Sequence, residues 1–275
     1  MNPTHAFDQA TRLQPQADGR FSGHTHIAYQ NMVGPYGGIT AANMLASVLQ
    51  HPQLLGEPIA ITVNFAGAVA DGPFEIEALP VRTNRSTQHW AVTQRQVDAQ
   101  GQTVVSTTAT VVTAARRRTW SASDEPLPEG LPSAEAMPRR VASPGPAWFE
   151  QYDMRIVTGG LPTTWDGREA PALTRMWVRD EPPRPRSFAS LVALADTFMP
   201  VLWLRRAKRV PIGTVSMTVY FHADGAQLAG SGDEHLFVQA QGHGFRHGFF
   251  DHSGQLWDAA GMLLATTTQI VYFKD

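Results

Sequence analysis

The stretch DAQGQTVVSTTATVV, residues 98–112, aligns without a gap with DAAGMLLATTTQIVY, residues 258–272. In each copy the first four residues end in glycine, which is free to take positive φ, and this predicts a hairpin turn between two strands. Because Thr and Val are common in strands, one match between β-rich segments has little weight alone. The segments around it decide whether the match is meaningful.

Two further pairs of segments match in the same order along the chain. YGGITAANML (36–45) aligns with SFASLVALAD (187–196), and AITVNF (60–65) aligns with SMTVYF (216–221). Three matches in one order predict an internal duplication. Between the copies lies a stretch rich in Pro, Ser, Glu and Arg without periodicity, which is typical of a surface linker. The predicted divisions are a first domain at residues 1–115, a linker at 116–147 and a second domain at 148–275.

Each copy is predicted to contain one long helix and about five or six antiparallel strands, a usual sheet size. Apolar residues recur at helical spacing in residues 37–50, and the mostly apolar segment Ser187–Leu204 is predicted to be the matching helix. A helix that is apolar on most faces needs burial on several sides, which a strongly curved sheet wrapped around it provides. The fold class is therefore α+β, with the two sheets joined edge to edge. The predicted strands are Ile59–Ala66, Phe74–Arg82, Thr87–Asp98, Gln102–Thr113, Trp148–Ile156, Leu173–Arg179, Thr214–His222, His235–Gln241, a long strand that ends at Trp257, and Met262–Phe273.

Composition excludes several classes of protein. The 275 residues are 43% hydrophobic, ample for one large domain or two smaller ones, and the formal net charge of −2 gives no strong field toward nucleic acid or an anionic membrane. The absence of cysteine excludes disulfides, thiolate catalysis and cysteine zinc sites. Neither a secretory signal nor an apolar run of about 18 residues is visible, so a soluble cytoplasmic protein is expected. The basic run Arg116–Arg118 is interpreted as a solvated strand end.

Asp196 is the most informative single residue, because it is the only charged side chain from Ser187 through Leu204. A carboxylate in such a segment is costly unless it is solvated, paired or used in chemistry. A plain alternative is an aspartate that points to solvent. The alignment favours use in chemistry, since three polar residues of the second copy match apolar residues of the first. These pairs are Asp196 with Leu45, Thr214 with Pro58, and Gln269 with Ala109.

Thr214 and Gln269 lie on predicted strands. Alternation places Gln269 on one face with Thr267 and Val271, and places Thr214 on a face with Ser216, opposite the apolar side chains of its own strand. A lone Thr or Gln on a strand is more often a surface residue. Only their coincidence with Asp196 makes them candidates for a site that one copy keeps and the other has lost.

The chain resembles acyl-CoA thioesterase II and its bacterial relatives over residues 20–115 and 150–273. The matching features are NMVGPYGGITAANML and VDAQGQTVVSTTATV in the first copy, and LADTFMP, PIGTVSMTVYFH and GQLWDAAGMLLATTTQ in the second. The resemblance implies a double hot-dog fold and an acyl-CoA substrate. In that family an Asp, a Thr and a Gln position the hydrolytic water, which the resemblance carries over onto Asp196, Thr214 and Gln269.

Gly37 and Gly38 are the predicted oxyanion donors. Their backbone N–H groups lie at the predicted start of the first helix, where the helix dipole favours negative charge, and glycine lets a thioester approach the backbone closely. Close packing of helix on sheet is the alternative reason for two glycines. The first copy thus holds the glycine turn and the second holds the acid, so one complete site is expected between them.

Three other interpretations stay open or are disfavoured. His243, His247 and His252 suggest a metal site, but histidines four apart on a strand are too distant for one ion, and neither a metal nor a cofactor is predicted. A hydratase or dehydratase of the same fold is disfavoured, because no His follows Asp196 within a few residues. A non-catalytic acyl-CoA-binding protein is the remaining alternative. A homodimer is expected.

Overall fold

The computed structural model describes residues 4–140 and 145–275. Twelve strands form one sheet in the order β1-β2-β4-β5-β6-β3-β9-β12-β11-β10-β8-β7, and every neighbouring pair in it is antiparallel. The strands are β1 (Gln14–Pro15), β2 (Arg20–His24), β3 (Glu57–Phe65), β4 (Pro73–Thr83), β5 (Thr87–Val97), β6 (Thr103–Ala114), β7 (Tyr152–Thr158), β8 (Leu173–Asp180), β9 (Ile212–Phe221), β10 (Leu236–Arg246), β11 (Phe249–Trp257) and β12 (Leu263–Phe273).

The helices contribute buried side chains to the hydrophobic core of the sheet. They are α1 (Ala6–Ala10), α2 (Gly37–Leu49), α3 (Phe188–Leu194), α4 (Val201–Arg205) and α5 (Gly225–Gly230). Helix α2 is buried from Gly38 to Val48 and packs against α3. The predicted burial of this helix on most of its faces is confirmed, and the elements that cover it are α3 and the strands β4, β5 and β6.

The prediction of one continuous helix over Ser187–Leu204 is wrong. A capping box at Ser187 and Ser190 starts α3, but the helix ends at Leu194, and a new short helix begins at Val201. Pro200 is incompatible with one continuous helix, because proline removes a helical hydrogen bond and disfavours helical backbone at the residue before it, and it stands at the N-cap of the second helix. The irregular segment between the two helices carries Asp196.

The two halves of the chain contribute matching sets of strands. From the outside inward, the first half supplies β1, β2, β4, β5, β6 and β3, and the second supplies β7, β8, β10, β11, β12 and β9. Strands β3 and β9 join the halves, and Thr62 lies directly opposite Thr218 with their hydroxyl oxygens 2.9 Å apart. These two residues are also matched in the sequence alignment, so the seam is centred on equivalent positions.

The segment between the halves covers the outer face of the second half. Trp177, Phe237 and Trp257 form an aromatic cluster there, and the indole N–H groups of the two tryptophans donate to the carbonyl oxygens of Pro132 and Glu125. The predicted linker is thus packed on the sheet. Residues 141–144 of the predicted linker lie outside the described residues.

Two local predictions in this region are wrong. Arg116 is not a solvated strand end, because its guanidinium donates to the carbonyl oxygens of Pro58, Phe221 and His222 and lies 3.4 Å from a carboxylate oxygen of Glu57. The predicted long strand that follows Gln241 and ends at Trp257 is not one strand, because β10 extends to Arg246 and β11 begins at Phe249. His247 and Gly248 both have positive φ and form the turn between β10 and β11, which places the histidines of this segment on different strands.

Among the described residues, no helix is long and apolar enough to cross a bilayer.

Leu45→Ala tests the burial of α2 at the position aligned with Asp196. Leu45 is fully buried, so truncation should lower the free energy of unfolding by about 2–5 kcal/mol through lost burial and a cavity. Denaturant unfolding measures this. Leu79→Ala, at a side chain 57% exposed, is the matched control and should change stability by no more than about 0.5 kcal/mol. Equal effects in the two variants would contradict the packing of α2.

Candidate active site

A chain of hydrogen bonds joins the three polar residues singled out in the second half. Gln269 on β12 donates through Nε2 to Oδ1 of Asp196 at 2.8 Å. Thr214 on β9 donates through Oγ1 to Oε1 of Gln269 at 3.1 Å. The amide of Gln269 is thereby fixed in one orientation, with its N–H group toward the carboxylate. The structure brings all three residues together.

The same carboxylate faces the start of α2 in the first half. A Cβ atom built on Gly37 would lie 2.9 Å from Oδ2 of Asp196 and 3.5 Å from the ring of Phe65. The backbone N–H of Gly38 faces this carboxylate closely enough to lower its pKa. Both predicted glycines are therefore at the site, and Gly37 is a position where any side chain would press on the acid.

Thr214 reaches this site only because of a β-bulge. In the β9–β12 pair, Ile270 lies opposite Ser216 and Val271 lies opposite Thr214, so Val215 is an extra residue in β9. Opposed residues of an antiparallel pair share a face, and the bulge turns Thr214 to the inner face with Val271. The prediction that Thr214 shares a face with Ser216 is wrong.

Burial sets the protonation of Asp196. The residue keeps intermediate exposure, yet protein surrounds its carboxylate, and desolvation raises its pKa to about 7. The hydrogen bond from Gln269 and the nearby backbone N–H of Gly38 favour the charged form and hold the pKa lower than burial alone would. A carboxylate that titrates near neutral pH is suited to accept a proton during a reaction and to return it.

Tyr36 is a site residue that the sequence argument did not single out. It is the residue before Gly37, it is 2% exposed, and its hydroxyl donates to the carbonyl oxygen of Ala193 at 2.7 Å. This bond ties the start of α2 to the last turn of α3, and so fixes the two backbone segments that carry the glycines and the acid. Its place directly before the glycine pair was the available signal.

The aligned positions of the first half hold apolar groups. Leu45 and Ala109 are buried, and Pro58 is buried on β3. Phe188, which aligns with Gly37, packs edge-on against Phe221 at 5.4 Å between ring centroids. The counterpart of the site is thus filled with hydrocarbon.

Within residues 4–140 and 145–275, no group of three or more His, Asp or Glu side chains is arranged to hold a metal ion. His243 is exposed and lies 2.9 Å from the hydroxyl of Ser253, whereas His252 is buried on the inner face of β11. The two histidines therefore lie on opposite sides of the sheet.

Both halves of the chain match models of known protein families. Residues 27–114 match the family model of the acyl-CoA thioesterase N-terminal domain, and residues 128–273 match that of the acyl-CoA thioesterase C-terminal domain. The chain belongs to the acyl-CoA thioesterase family.

Solved structures agree on the fold. A conserved protein of unknown function with a hot-dog fold from Alicyclobacillus acidocaldarius is 45% identical, with 99% of each chain covered and a TM-score of 0.92. A candidate thioesterase II from Thermobifida fusca is 19% identical, with 100% of each chain covered and a TM-score of 0.81. An acyl-CoA thioesterase II from Mycobacterium marinum is 18% identical, with 98% of each chain covered and a TM-score of 0.77. A search of curated proteins gives no match. The fold is a hot-dog fold, mixed helix and sheet.

Gln269→Leu tests the hydrogen bond to Asp196. The variant removes a donor that favours the charged carboxylate, so the pKa of Asp196 should rise above its value of about 7 in the parent protein. Infrared difference spectra of the carboxyl stretch across a pH series measure this titration, with Asp196→Asn used for assignment. The exposed Gln102→Leu is the control and should leave the titration in place. An unchanged pKa of Asp196 in Gln269→Leu would contradict the hydrogen bond between these two side chains.

Proposed function

We propose that the protein hydrolyses acyl-CoA thioesters with an activated water at one site between its two halves. One observation carries the proposal. Asp196, from the second half, lies against the glycine start of α2, from the first half, and is held there by Gln269. Hydrolysis of a thioester needs a base for the water and donors for the oxygen that becomes anionic. The contact between the halves supplies both.

The reaction follows from this arrangement. Asp196 takes a proton from a water molecule as the water oxygen bonds to the thioester carbonyl carbon. The carbonyl oxygen gains negative charge at the positive end of α2, near Gly37 and Gly38. When the C–S bond breaks, the thiolate of CoA takes up a proton from the protonated Asp196, and the carboxylic acid leaves. Direct attack by the carboxylate is the other route, and single turnover in ¹⁸O-labelled water distinguishes the two.

Gln269 and Thr214 are positioning residues in this scheme. Gln269 donates to Oδ1 of Asp196, and Oδ2 of the same carboxylate lies on the side of Gly37, where the reacting water would bind. Thr214 fixes the amide of Gln269 in the donating orientation. Proton abstraction depends on such alignment, because small misplacement of a reacting group costs much of the rate.

We further propose that the chain is a double hot-dog, built from two repeats that each wrap a helix in a curved antiparallel sheet, with a linker between them. The matching strand orders of the two halves and the seam at Thr62 and Thr218 support this. The hydrocarbon-filled counterpart of the site supports one active site per chain. The domain limits at residues 115 and 147, the homodimer and the cytoplasmic location stay predictions.

The two alternatives make different predictions for one assay. Acyl-CoA substrates from acetyl to palmitoyl, together with aromatic thioesters, are incubated with the protein, and release of the free CoA thiol is followed. A hydrolase releases thiol, whereas an acyl-CoA-binding protein binds without turnover. A hydratase or dehydratase changes the acyl chain and keeps the thioester intact. The length of the acyl chain and the choice between CoA and a carrier protein are decided by the same panel.

Asp196→Asn should lower kcat by on the order of 100-fold or more, because the amide cannot accept the proton of the water. Unfolding by denaturant should show that the variant still folds. For the parent protein, kcat/KM should rise with pH through an apparent pKa near 7, since only the deprotonated carboxylate acts as a base. A kcat of Asp196→Asn equal to that of the parent protein would show that Asp196 is not the base.

Gly37→Ala tests the contact between the halves. The added methyl group would lie 2.9 Å from Oδ2 of Asp196, so it should displace the acid and lower kcat by about 10- to 100-fold. Stability should not fall, because alanine favours a helix more than glycine does. The matched control is Gly67→Ala, where no atom lies within 4 Å of the added carbon, and its kcat should equal that of the parent. Equal rates in both variants would contradict the role of Gly37.

A further inference from the structure

Trp148, from the second half, packs against Tyr36, the residue before the glycine pair of α2. Its indole ring is nearly parallel to the phenol ring of Tyr36, with an interplanar angle of 12° and 4.2 Å between ring centroids. Trp148 is 6% exposed and Tyr36 is 2% exposed, so this stack is almost closed to solvent. The backbone N–H of Trp148 also donates to the carbonyl oxygen of Gln30, in the loop that leads to Tyr36. A residue of the second half is therefore fixed on the first half by its ring and by its backbone.

Gly38 also bounds the ring of Tyr36. A Cβ atom built on Gly38 would lie 2.5 Å from Cε1, 2.6 Å from Cζ and 2.7 Å from the hydroxyl oxygen of Tyr36. A side chain at Gly38 would therefore displace the ring, and only glycine lets the ring approach the backbone so closely. The indole of Trp148 and the bare backbone of Gly38 together confine the ring, and this sets the direction of its hydroxyl.

The hydroxyl of Tyr36 meets the backbone of the acid at one shared acceptor. The carbonyl oxygen of Ala193 accepts from this hydroxyl at 2.7 Å and from the backbone N–H of Asp196 at 3.1 Å. Ala193 is fully buried, so no water is at hand to replace a lost donor. The turn that carries Asp196 therefore depends on where the ring of Tyr36 is held.

The sequence repeat indicates that the side chain of Tyr36 does not serve its own helix. Tyr36 aligns with Ser187, and each residue stands at the N-cap of its helix. Ser187 accepts from the backbone N–H of Ser190 in a capping box, whereas the side chain of Tyr36 makes no capping hydrogen bond. Serine is a favoured N-cap residue and tyrosine is not. The first half thus lacks a helix cap, and the side chain in that place reaches the segment that carries the acid instead.

We propose that Trp148 is a positioning residue for Asp196 and acts through the confined ring of Tyr36 and the carbonyl group of Ala193. The chain of contacts runs from the second half to the first and back again, so each half fixes a part of the site that the other half carries. The kinetic test of this inference rests on the proposed function. The position of the acid itself is tested without any substrate.

Trp148→Leu removes the stack and is compared with Trp177→Leu. Trp177 is a matched control, because it is 7% exposed and packs edge-on against Phe237 in the outer aromatic cluster, which does not include Tyr36. Both variants should lose a similar free energy of unfolding in denaturant. Only Trp148→Leu should lower kcat, by about tenfold or more and with a smaller change in KM, because the base is misplaced. Trp148→Phe keeps an aromatic ring against Tyr36 and should retain most of the parent kcat.

Tyr36→Phe removes only the hydroxyl and keeps both rings, so it tests the link even if Trp148→Leu does not fold. It should lower kcat as Trp148→Leu does. The double variant should lose no more than either single variant, because both changes act on the same hydrogen bond to Ala193. A parent-like kcat in Tyr36→Phe, or additive losses in the double variant, would overturn the inference.

Infrared difference spectra of the carboxyl stretch across a pH series follow Asp196 without substrate. A displaced acid moves away from the backbone N–H of Gly38, which lowers its pKa, so the pKa should rise above about 7 in Trp148→Leu and in Tyr36→Phe. Trp177→Leu should keep the parent pKa. A shifted titration without acyl-CoA hydrolysis would keep the positioning role and overturn the thioesterase. Hydrolysis with parent kcat and parent titration in Trp148→Leu would keep the thioesterase and overturn the positioning role.

Discussion

The hydrogen bond from Gln269 to Asp196 is the interaction on which the site depends. It holds a carboxylate, at 2.8 Å, in a region where burial opposes negative charge. One donor from β12 and one backbone N–H from α2 offset that cost without removing it, so the acid titrates near neutral pH. A fully satisfied carboxylate would be a weak base, and an unsatisfied one would stay protonated.

The position of that carboxylate depends on an interrupted helix. Helix α3 ends at Leu194, α4 begins after Pro200, and Asp196 lies in the turn that follows α3. The hydroxyl of Tyr36 ties the last turn of α3 to the beginning of α2. Because α2 is buried on nearly all sides, its first residues cannot shift without disturbing the core. The acid and the glycines are thus held by elements that the main core keeps rigid.

The two halves share an architecture but differ in chemistry. Their strand orders match, and they meet at Thr62 and Thr218, while the acid, the amide and the buried imidazole occur in the second half alone among the aligned positions. Phe188 and Phe221 fill the place where the first half would need an opening. Buried polar groups cost stability. In this protein the second half carries them at the aligned positions, and the first half has well-packed apolar side chains there.

Much of this protein was determined by local sequence. Alternating strands, hairpin turns ending in glycine and the repeated segments predicted the antiparallel strands and their order along the chain, because these patterns depend on neighbouring residues and on self-similarity. The meeting of Gly37 with Asp196 was predicted from the complementary halves together with the resemblance to a known family. Tertiary structure alone decided the bulge at Val215 that turns Thr214 inward, the end of α3 at Leu194 and the unpaired nitrogens of His252. Each of these depends on which strand or helix lies opposite. The amino-acid sequence alone does not reveal these pairings, because strand register and burial are set only when segments far apart in the sequence pack together.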